Sequence, residues 1–137
     1  MQIKLDYGAY EPIRAHATDA GLDLRAMFGG CVRAHQDMTF RTGVHVALPA
    51  GTVGLLLPKS GLMCNRSLLT FGVVDEGYTG EIKVHMFNLG SDDYNVAPGD
   101  KISQLIVVPV RYEAVEIVDE LNQDSERGSN GFGSTGR

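Results

Sequence analysis

The last eleven residues of the chain, 127–137, combine side chains that suit a polyphosphate with one aromatic ring. Arg127 and the hydroxyls of Ser134 and Thr135 can donate hydrogen bonds to phosphate oxygens, and interspersed glycines leave backbone N–H groups accessible. Phe132 can cover a planar base. Because a single apolar side chain cannot build a core, a frayed terminus is the alternative interpretation. We interpret the segment as a lid that binds phosphate.

A second segment with chemical potential spans residues 72–83 and holds a carboxylate and a phenol three residues apart. Strand-like residues flank Glu76 and Gly77, which predicts a β-hairpin with Asp75 and Tyr78 at its base. A hairpin base is rigid enough to hold a carboxylate in one place. A turn-forming Asp75 and a cross-strand packing Tyr78 are the purely structural alternatives.

A possible phosphate contact follows the apolar run 53–57, in the sequence Pro-Lys-Ser-Gly at residues 58–61. A strand that leads into a small-residue turn and a short helix can direct backbone N–H groups toward phosphate. Lys59 adds a positive charge and Ser60 a hydroxyl. The spacing is not that of a P-loop, so this segment by itself is a weak indication.

Three further polar residues lie in apolar surroundings. Asp19 and Asp23 flank Gly21 and could contact a hydrated Mg²⁺, or could instead close a turn and support a structural hydrogen bond. Gln104 interrupts the apolar run 102–106, where its amide either satisfies the backbone or faces a site. Which role applies depends on what the fold brings together.

The elements that must position these residues are short strands. No window of a dozen residues carries a helical stripe, turn residues separate the apolar runs, and one short helix is expected near residues 61–67. This pattern predicts an all-β sandwich or barrel. The chain turns polar after residue 118, which divides it into a barrel domain, 1–118, and a C-terminal arm, 119–137, that can reach a neighbouring subunit. The predicted strands cover residues 2–5, 22–26, 38–41, 44–48, 52–57, 68–73, 81–88, 101–110 and 114–118.

Composition narrows the class of protein. The chain has 137 residues, which suits one domain, and its net charge of −5 argues against nonspecific nucleic-acid binding. It has no apolar run of membrane-spanning length and no signal-peptide hydrophobic region, so a cytoplasmic protein without membrane partners is expected. Cys31 and Cys64 form no metal-ligand pattern, and we predict that both are buried small hydrophobes.

Taken together, the five segments resemble the five ordered motifs of the trimeric deoxyuridine triphosphate nucleotidohydrolase (dUTPase) family. The matching segments are residues 17–26, 58–62, 72–83, 99–105 and 127–136. The resemblance implies a distorted jelly-roll β-barrel with a swapped C-terminal arm, in a homotrimer whose three active sites are shared between subunits. It also implies Mg²⁺-dependent hydrolysis of dUTP to dUMP and pyrophosphate, which keeps uracil out of DNA and supplies dUMP for dTMP synthesis.

The resemblance further implies a role for each candidate residue. Asp75 falls on the general base that activates the water attacking the α-phosphorus, and Gln104 falls near that water. Tyr78 falls on the aromatic residue that packs under the deoxyribose and excludes a ribose 2′-hydroxyl. Asp23 falls on a carboxylate that reaches the metal through water. The implied substrate contacts are Lys59, Ser60 and Gly61 on phosphates, Gly72, Val73, Val74 and the region of Lys83 on the uracil edge, Arg127, Ser134 and Thr135 on the γ-phosphate, and Phe132 with Gly133 over the base.

The chain departs from the family pattern at three positions. Many members have arginine where Lys59 stands, and lysine cannot make the bidentate contact of arginine. Gly77 replaces an acidic residue, and Leu69 lies near a place where some members contact the base with a polar side chain. Two other functions remain open. They are the related dCTP deaminase, against which the tail argues, and a nucleotide-sensing or partner-binding trimer without catalysis.

Overall fold

Short β-strands dominate the computed structural model, which describes residues 1–121 and 128–129. The chain order is β1 (Gln2–Leu5), β2 (Leu22–Arg25), β3 (Gly30–Val32), β4 (Asp37–Ala47), β5 (Thr52–Leu57), α1 (Ser60–Arg66), β6 (Leu68–Thr70), β7 (Gly72–Val74), β8 (Glu81–Asn88), β9 (Tyr94–Val96) and β10 (Lys101–Pro109). No helix within these described residues is long and apolar enough to cross a membrane.

Two four-stranded antiparallel sheets share one hydrophobic core. Their strand orders are β1-β4-β8-β6 and β2-β10-β5-β7, and β3 pairs with β9 in a separate ribbon. Alternation along β8 buries Ile82, Val84 and Met86 on one face, as its period of two predicts. Leu24 and Leu105 cover the core from the second sheet. The predicted all-β jelly-roll architecture is confirmed.

Residues 38–41 and 44–48 were predicted as two strands, but the structure has one long strand, β4, in their place. Gly43 has φ of +65° and the ladder with β8 shifts register between Arg41 and Val44, so a bulge interrupts the alternation without ending the strand. The backbone N–H of Gly43 donates to Oε1 of Glu81 at 3.0 Å. The strands β3 and β9 were not predicted, because each has three residues and one buried side chain, Val32 and Val96.

The predicted strand 68–73 is in fact two strands in different sheets. β6 pairs with β8 and β7 pairs with β5, so the chain changes sheet at Phe71. The predicted hairpin is wrong for the same reason, because residues 75–80 connect β7 in one sheet to β8 in the other. Its turn is present. The N–H of Tyr78 donates to the carbonyl of Asp75 at 3.1 Å, and Gly77 at the third position has φ of +86°.

The predicted strand at residues 114–118 is absent. β10 ends at Pro109, which has no N–H to donate to a ladder, and residues 111–121 are exposed without regular secondary structure. The side chains of Val115 and Ile117 are 91% and 96% exposed in the single chain. This segment therefore adds nothing to the core of its own chain.

Both cysteines are exposed, contrary to the prediction that they are buried. Cys31 precedes the buried Val32 in β3, and alternation turns its side chain away from the core. Cys64 lies on α1, which buries none of its residues. Small size and low polarity did not decide their location, because the local elements present them to solvent.

Candidate active site

A polar cluster lies on the face of the second sheet that points away from the core. Leu22 and Leu24 belong to the core, so alternation turns Asp23 to the opposite face. The ladder pairs Asp23 with Gln104, and Gln104 with Leu57 at the end of β5. Lys59, two residues after Leu57, reaches the same carboxylate. We call Asp23, Lys59, Lys101 and Gln104 the Asp23 cluster.

A bulge in β10 brings Lys101 into this cluster. In a regular strand, residues 101 and 104 would point to opposite faces, because their separation is odd. The register shifts between Lys101 and Ser103, so Lys101 lies opposite Arg25 while Gln104 lies opposite Asp23. Ile102 and Ser103 are consecutive and both buried. Lys101 and Gln104 consequently share one face of the sheet.

The carboxylate of Asp23 lies between two ammonium groups. Nζ of Lys59 donates to Oδ1, and Nζ of Lys101 lies 2.7 Å from Oδ2. Asp23 is only 5% exposed. Burial opposes its ionisation, but the hydrogen bonds and charges of Lys101 and Lys59 outweigh that effect and lower the pKa of Asp23. Asp23 is therefore a buried anion with two cationic partners.

The amide of Gln104 is held by the backbone around it. Nε2 donates to the carbonyl of Pro58 at 3.1 Å, just before Lys59. Gly21 approaches so closely that a Cβ at that position would lie 3.0 Å from Cβ of Gln104 and would overlap its Oε1. The amide thus satisfies a backbone carbonyl, which is the structural alternative for this residue, and its part in a reaction stays a prediction.

The helix α1 begins directly beside the cluster. Lys59 is its N-cap residue, and Ser60 and Gly61 follow as exposed residues of the first turn. Asp19 does not join the cluster. Its Oδ2 accepts from the backbone N–H of His16 at 2.9 Å, which is the turn-closing alternative for this residue.

A cavity of about 260 Å³ opens between the edges of the two sheets. Among the strands of the described residues, β7 pairs only with β5, so no other strand of residues 1–121 covers the backbone N–H and C=O groups on its second edge. Side chains of β8 form the opposite wall. Among the described residues, the cavity brings together the positions that the resemblance assigned to base and sugar, namely Gly72, Val73, Val74, Tyr78 and Lys83.

The ring of Tyr78 is fixed at this cavity by its immediate neighbours. Its hydroxyl donates to the carbonyl of Glu81 at 3.1 Å. The ring passes over Gly80, where a Cβ would lie 2.5 Å from Cζ of Tyr78. Only glycine leaves space for this ring position.

Asp75 lines a different cavity, of about 610 Å³, although it is three residues from Tyr78. Glu76 and Tyr112 line the same cavity. The hydroxyl of Tyr112 donates to Oε2 of Glu76 at 2.6 Å, and the N–H of Gly51 donates to the same oxygen at 2.8 Å. Both hydrogen bonds lower the pKa of Glu76, and the bond from Tyr112 has the larger effect. The same bond to Glu76 raises the pKa of Tyr112. The turn that carries Asp75 is thereby bonded to Tyr112, three residues after the end of β10.

The family model for dUTPase matches residues 9–136 of the chain. The chain belongs to the dUTPase family. Its sequence is 40% identical over 136 residues to the deoxyuridine 5′-triphosphate nucleotidohydrolase of Clostridium acetobutylicum, covering 97% of this chain and 93% of that protein. It is 38% identical to the mitochondrial enzyme of the same description from Homo sapiens, covering 98% of this chain and 53% of that protein.

Solved structures of dUTPases have the same fold. The dUTPase of Staphylococcus bacteriophage 80alpha with dUpNHpp matches with a TM-score of 0.92 at 29% identity, covering 99% of this chain and 98% of that chain. The D95N dUTPase of phage phi11 of S. aureus, whose structure concerns a structural Mg(II) ion, matches with a TM-score of 0.81 at 26% identity. That match covers 88% of this chain and 97% of the phage chain.

The Asp23 cluster has a single carboxylate and offers no direct cage for a metal ion. Across residues 1–121 and 128–129, no group of three or more His, Cys, Asp or Glu side chains could hold a metal ion. Both oxygens of Asp23 already accept hydrogen bonds from lysine. A carboxylate has about four lone-pair sites, so each oxygen can accept one further bond from a metal-bound water. The ion itself would be held mainly by phosphate oxygens and water.

The sequence interpretation missed Lys101 and includes residues that the structure does not test. Lys101 was overlooked because its orientation depends on a bulge that the alternation does not reveal. The predicted tail contacts lie outside the described residues. They are Arg127, Phe132, Gly133, Ser134 and Thr135, and the terminal Arg137 lies there too.

We expect Tyr112→Phe to alter the acid dependence of stability. The pKa of Glu76 in the folded state lies below its ordinary value of 4.5. The bond from Tyr112 therefore contributes stability above about pH 4.5, and this contribution is lost as the pH falls through the lower folded-state pKa. Wild type and variant should differ in urea unfolding at neutral pH and converge in acid. Tyr7→Phe, at a fully exposed tyrosine, is the control, and a difference that did not change with pH would contradict the assignment.

Proposed function

We propose that this protein hydrolyses dUTP to dUMP and pyrophosphate. The observation that carries the proposal is the cavity beside β7, which gathers the five described positions that are expected on base and sugar at a strand edge. Family membership supports the substrate, because the relatives are named for this reaction and the 80alpha structure contains dUpNHpp.

The proposed reaction is attack by water on the α-phosphorus. The water oxygen bonds to phosphorus, the α–β bridging oxygen leaves with pyrophosphate, and Asp75 accepts the proton of the water. A triphosphate brings strong negative charge, which Lys59 and the backbone at Ser60 and Gly61 would offset. Mg²⁺ would supply further charge neutralisation on the phosphate oxygens when bound. The protein's own contribution is to position the water and hold the phosphates, with Gln104 beside them.

Selection of uracil by backbone groups follows from the free edge of β7. Peptide N–H and C=O groups at Gly72, Val73 and Val74 have fixed directions because β5 holds the strand on its other side. Cytosine would present a donor where uracil has an acceptor, leaving buried polar groups unpaired. Such mismatches are among the strongest discriminators available to a binding site.

The proposed assembly is a homotrimer with shared active sites. In one chain, Asp75 and Tyr78 line separate cavities, and the Asp23 cluster lines neither of these two. Parts of one site that face different surfaces can be joined by a second copy of the chain. The exposed Val115 and Ile117 support an arm that packs on a neighbour and carries residues 127–137 toward its site.

Pyrophosphate release from dUTP with Mg²⁺ tests the proposed function, with dCTP, dTTP and UTP as controls. Rapid release from dUTP alone is the expected result. Ammonia release from dCTP would replace the proposal with the deaminase reaction. Binding of dUpNHpp without turnover of dUTP would indicate that the protein is a nucleotide sensor and not a hydrolase.

We expect Gly80→Ala to weaken discrimination between dUTP and UTP. The added methyl group overlaps the ring of Tyr78 and forces it away from its bond to Glu81, which opens space for a ribose 2′-hydroxyl. The ratio of kcat/KM for dUTP to that for UTP should fall about tenfold, the scale of one misplaced packing contact. Tyr78→Phe keeps the ring and loses only the hydroxyl, so it should retain most of the discrimination. If Gly80→Ala left the ratio of the two kcat/KM values unchanged, the ring of Tyr78 would have no part in discriminating deoxyribose from ribose.

A further inference from the structure

Asp23 has more cationic partners than a single carboxylate needs. Lys59 binds Oδ1 from the start of α1, and Lys101 binds Oδ2 from β10, at 2.7 Å. The two lysines reach the carboxylate from different elements, and the side chain of Asp23 is only 7% exposed between them. The second pair exists because a bulge turns Lys101 onto this face.

This arrangement addresses a difficulty in the proposed reaction. Lys59 is the expected phosphate contact, yet in this structure its ammonium group is bound to Asp23. If Lys59 were the sole partner, its movement to phosphate would leave a buried carboxylate without a counter-charge. A buried ion that loses its partner is strongly destabilising.

We propose that Lys101 is a positioning residue that stays paired with Asp23 and so frees Lys59 to move onto the phosphates of the bound nucleotide. This inference rests on the proposed dUTP hydrolysis and deepens the description of its phosphate site. The ammonium group of Lys101 then remains bound to Asp23, while the ammonium group of Lys59 moves from Asp23 to the substrate.

The local structure distinguishes the two lysines in the way that this exchange requires. Lys101 belongs to β10 and pairs with Arg25 of β2, so its backbone is held in the sheet on that side. Lys59 is the N-cap of α1 and lies beyond the end of β5, and within residues 1–121 and 128–129 it pairs with no strand. Lysine is also a compact charge on a flexible stem, which releases one partner more readily than a bidentate arginine.

The test is a double-mutant cycle on Asp23 and Lys101, measured by dUTP turnover and dUpNHpp binding. Lys101→Met should raise KM for dUTP and Kd for dUpNHpp about tenfold or more, because Lys59 is then retained by Asp23, while kcat falls less. In the Asp23→Asn background there is no buried anion to compensate. Adding Lys101→Met there should change KM and Kd less than about twofold. Lys101→Arg should restore near-normal binding, and Lys4→Met removes an equal charge from an exposed strand as the control.

Two outcomes would overturn the proposal. An equal loss on adding Lys101→Met in both backgrounds would mean that Lys101 contacts phosphate directly. No loss in the wild-type background would mean that it has no part in binding. If Lys101→Met does not fold, Asp23→Asn with and without Lys101→Met still decides between direct and indirect action, because neither variant buries an unpaired carboxylate. Absence of dUTP hydrolysis by the wild-type protein would reject the proposed function separately, before any variant is compared.

Discussion

Asp75→Asn is expected to lower dUTP turnover by a factor of about 10²–10⁴, the range that a general base contributes. Asparagine has the same shape and can accept a hydrogen bond from water, but it cannot take up the proton. The turn should persist, because its bond uses the backbone carbonyl of Asp75 and the N–H of Tyr78. Binding of dUpNHpp should therefore remain within a few-fold of wild type.

Glu76→Gln is the matched control for this experiment. It removes the same charge from the next residue and from the same cavity, while its amide oxygen can still accept from Tyr112 and Gly51. We expect turnover close to that of the wild type. Full activity of Asp75→Asn combined with a large loss in Glu76→Gln would transfer the role of base to Glu76.

Removal of residues 127–137 should reduce activity at least about 100-fold while the barrel remains folded and oligomeric. The deleted segment carries the side chains proposed to hold the γ-phosphate, Arg127, Ser134 and Thr135, and the ring of Phe132 that would cover uracil. Without them, water reaches the phosphates and the nucleotide is less well oriented. Turnover, light scattering and urea unfolding together separate a lost lid from a lost fold.

Single substitutions refine the deletion experiment. Phe132→Ala should raise KM by removing base coverage, and Arg127→Ala should raise KM and lower kcat by removing charge from the γ-phosphate. Arg137→Ala is the control at the end of the chain. If the protein without residues 127–137 hydrolysed dUTP at the wild-type rate, the tail would be a frayed terminus without a part in the reaction.

Strands with unbroken patterns were predictable from the sequence. β5 and β8 have the predicted bounds, because residues 53–57 of β5 form an apolar run and β8 alternates from Glu81 to Met86. The split at Phe71 was not predictable in this way, since the run 68–73 keeps its apolar character while the chain changes sheet. The hairpin prediction was wrong because the strands on either side of the turn, β7 and β8, belong to different sheets. Turn residues reveal that the chain reverses, and they do not reveal which strands pair across the turn.

Residue types indicated candidate site residues, but they did not indicate the face of the strand on which each side chain lies. Gly72, Val73 and Tyr78 line one cavity, and their roles toward base and sugar stay predictions. Lys101 was missed because a one-residue bulge reverses the face on which it lies, and bulges leave little trace in an apolar pattern. The proposed roles of Asp75, Gln104 and Lys59 in the reaction remain predictions.

The change of sheet at Phe71 has a consequence for how the enzyme can evolve. The cavity for the base has one wall on β7 and the other on β8, so its width depends on the spacing between two sheets. That spacing is set by buried side chains such as Leu68 and Met86, which close packing makes sensitive to a change of one methylene group. We therefore expect substitutions deep in the core, such as at Leu68 or Met86, to change the width of this cavity without altering any residue that lines it. Changes that adapt the core to temperature would then reach the cavity as well.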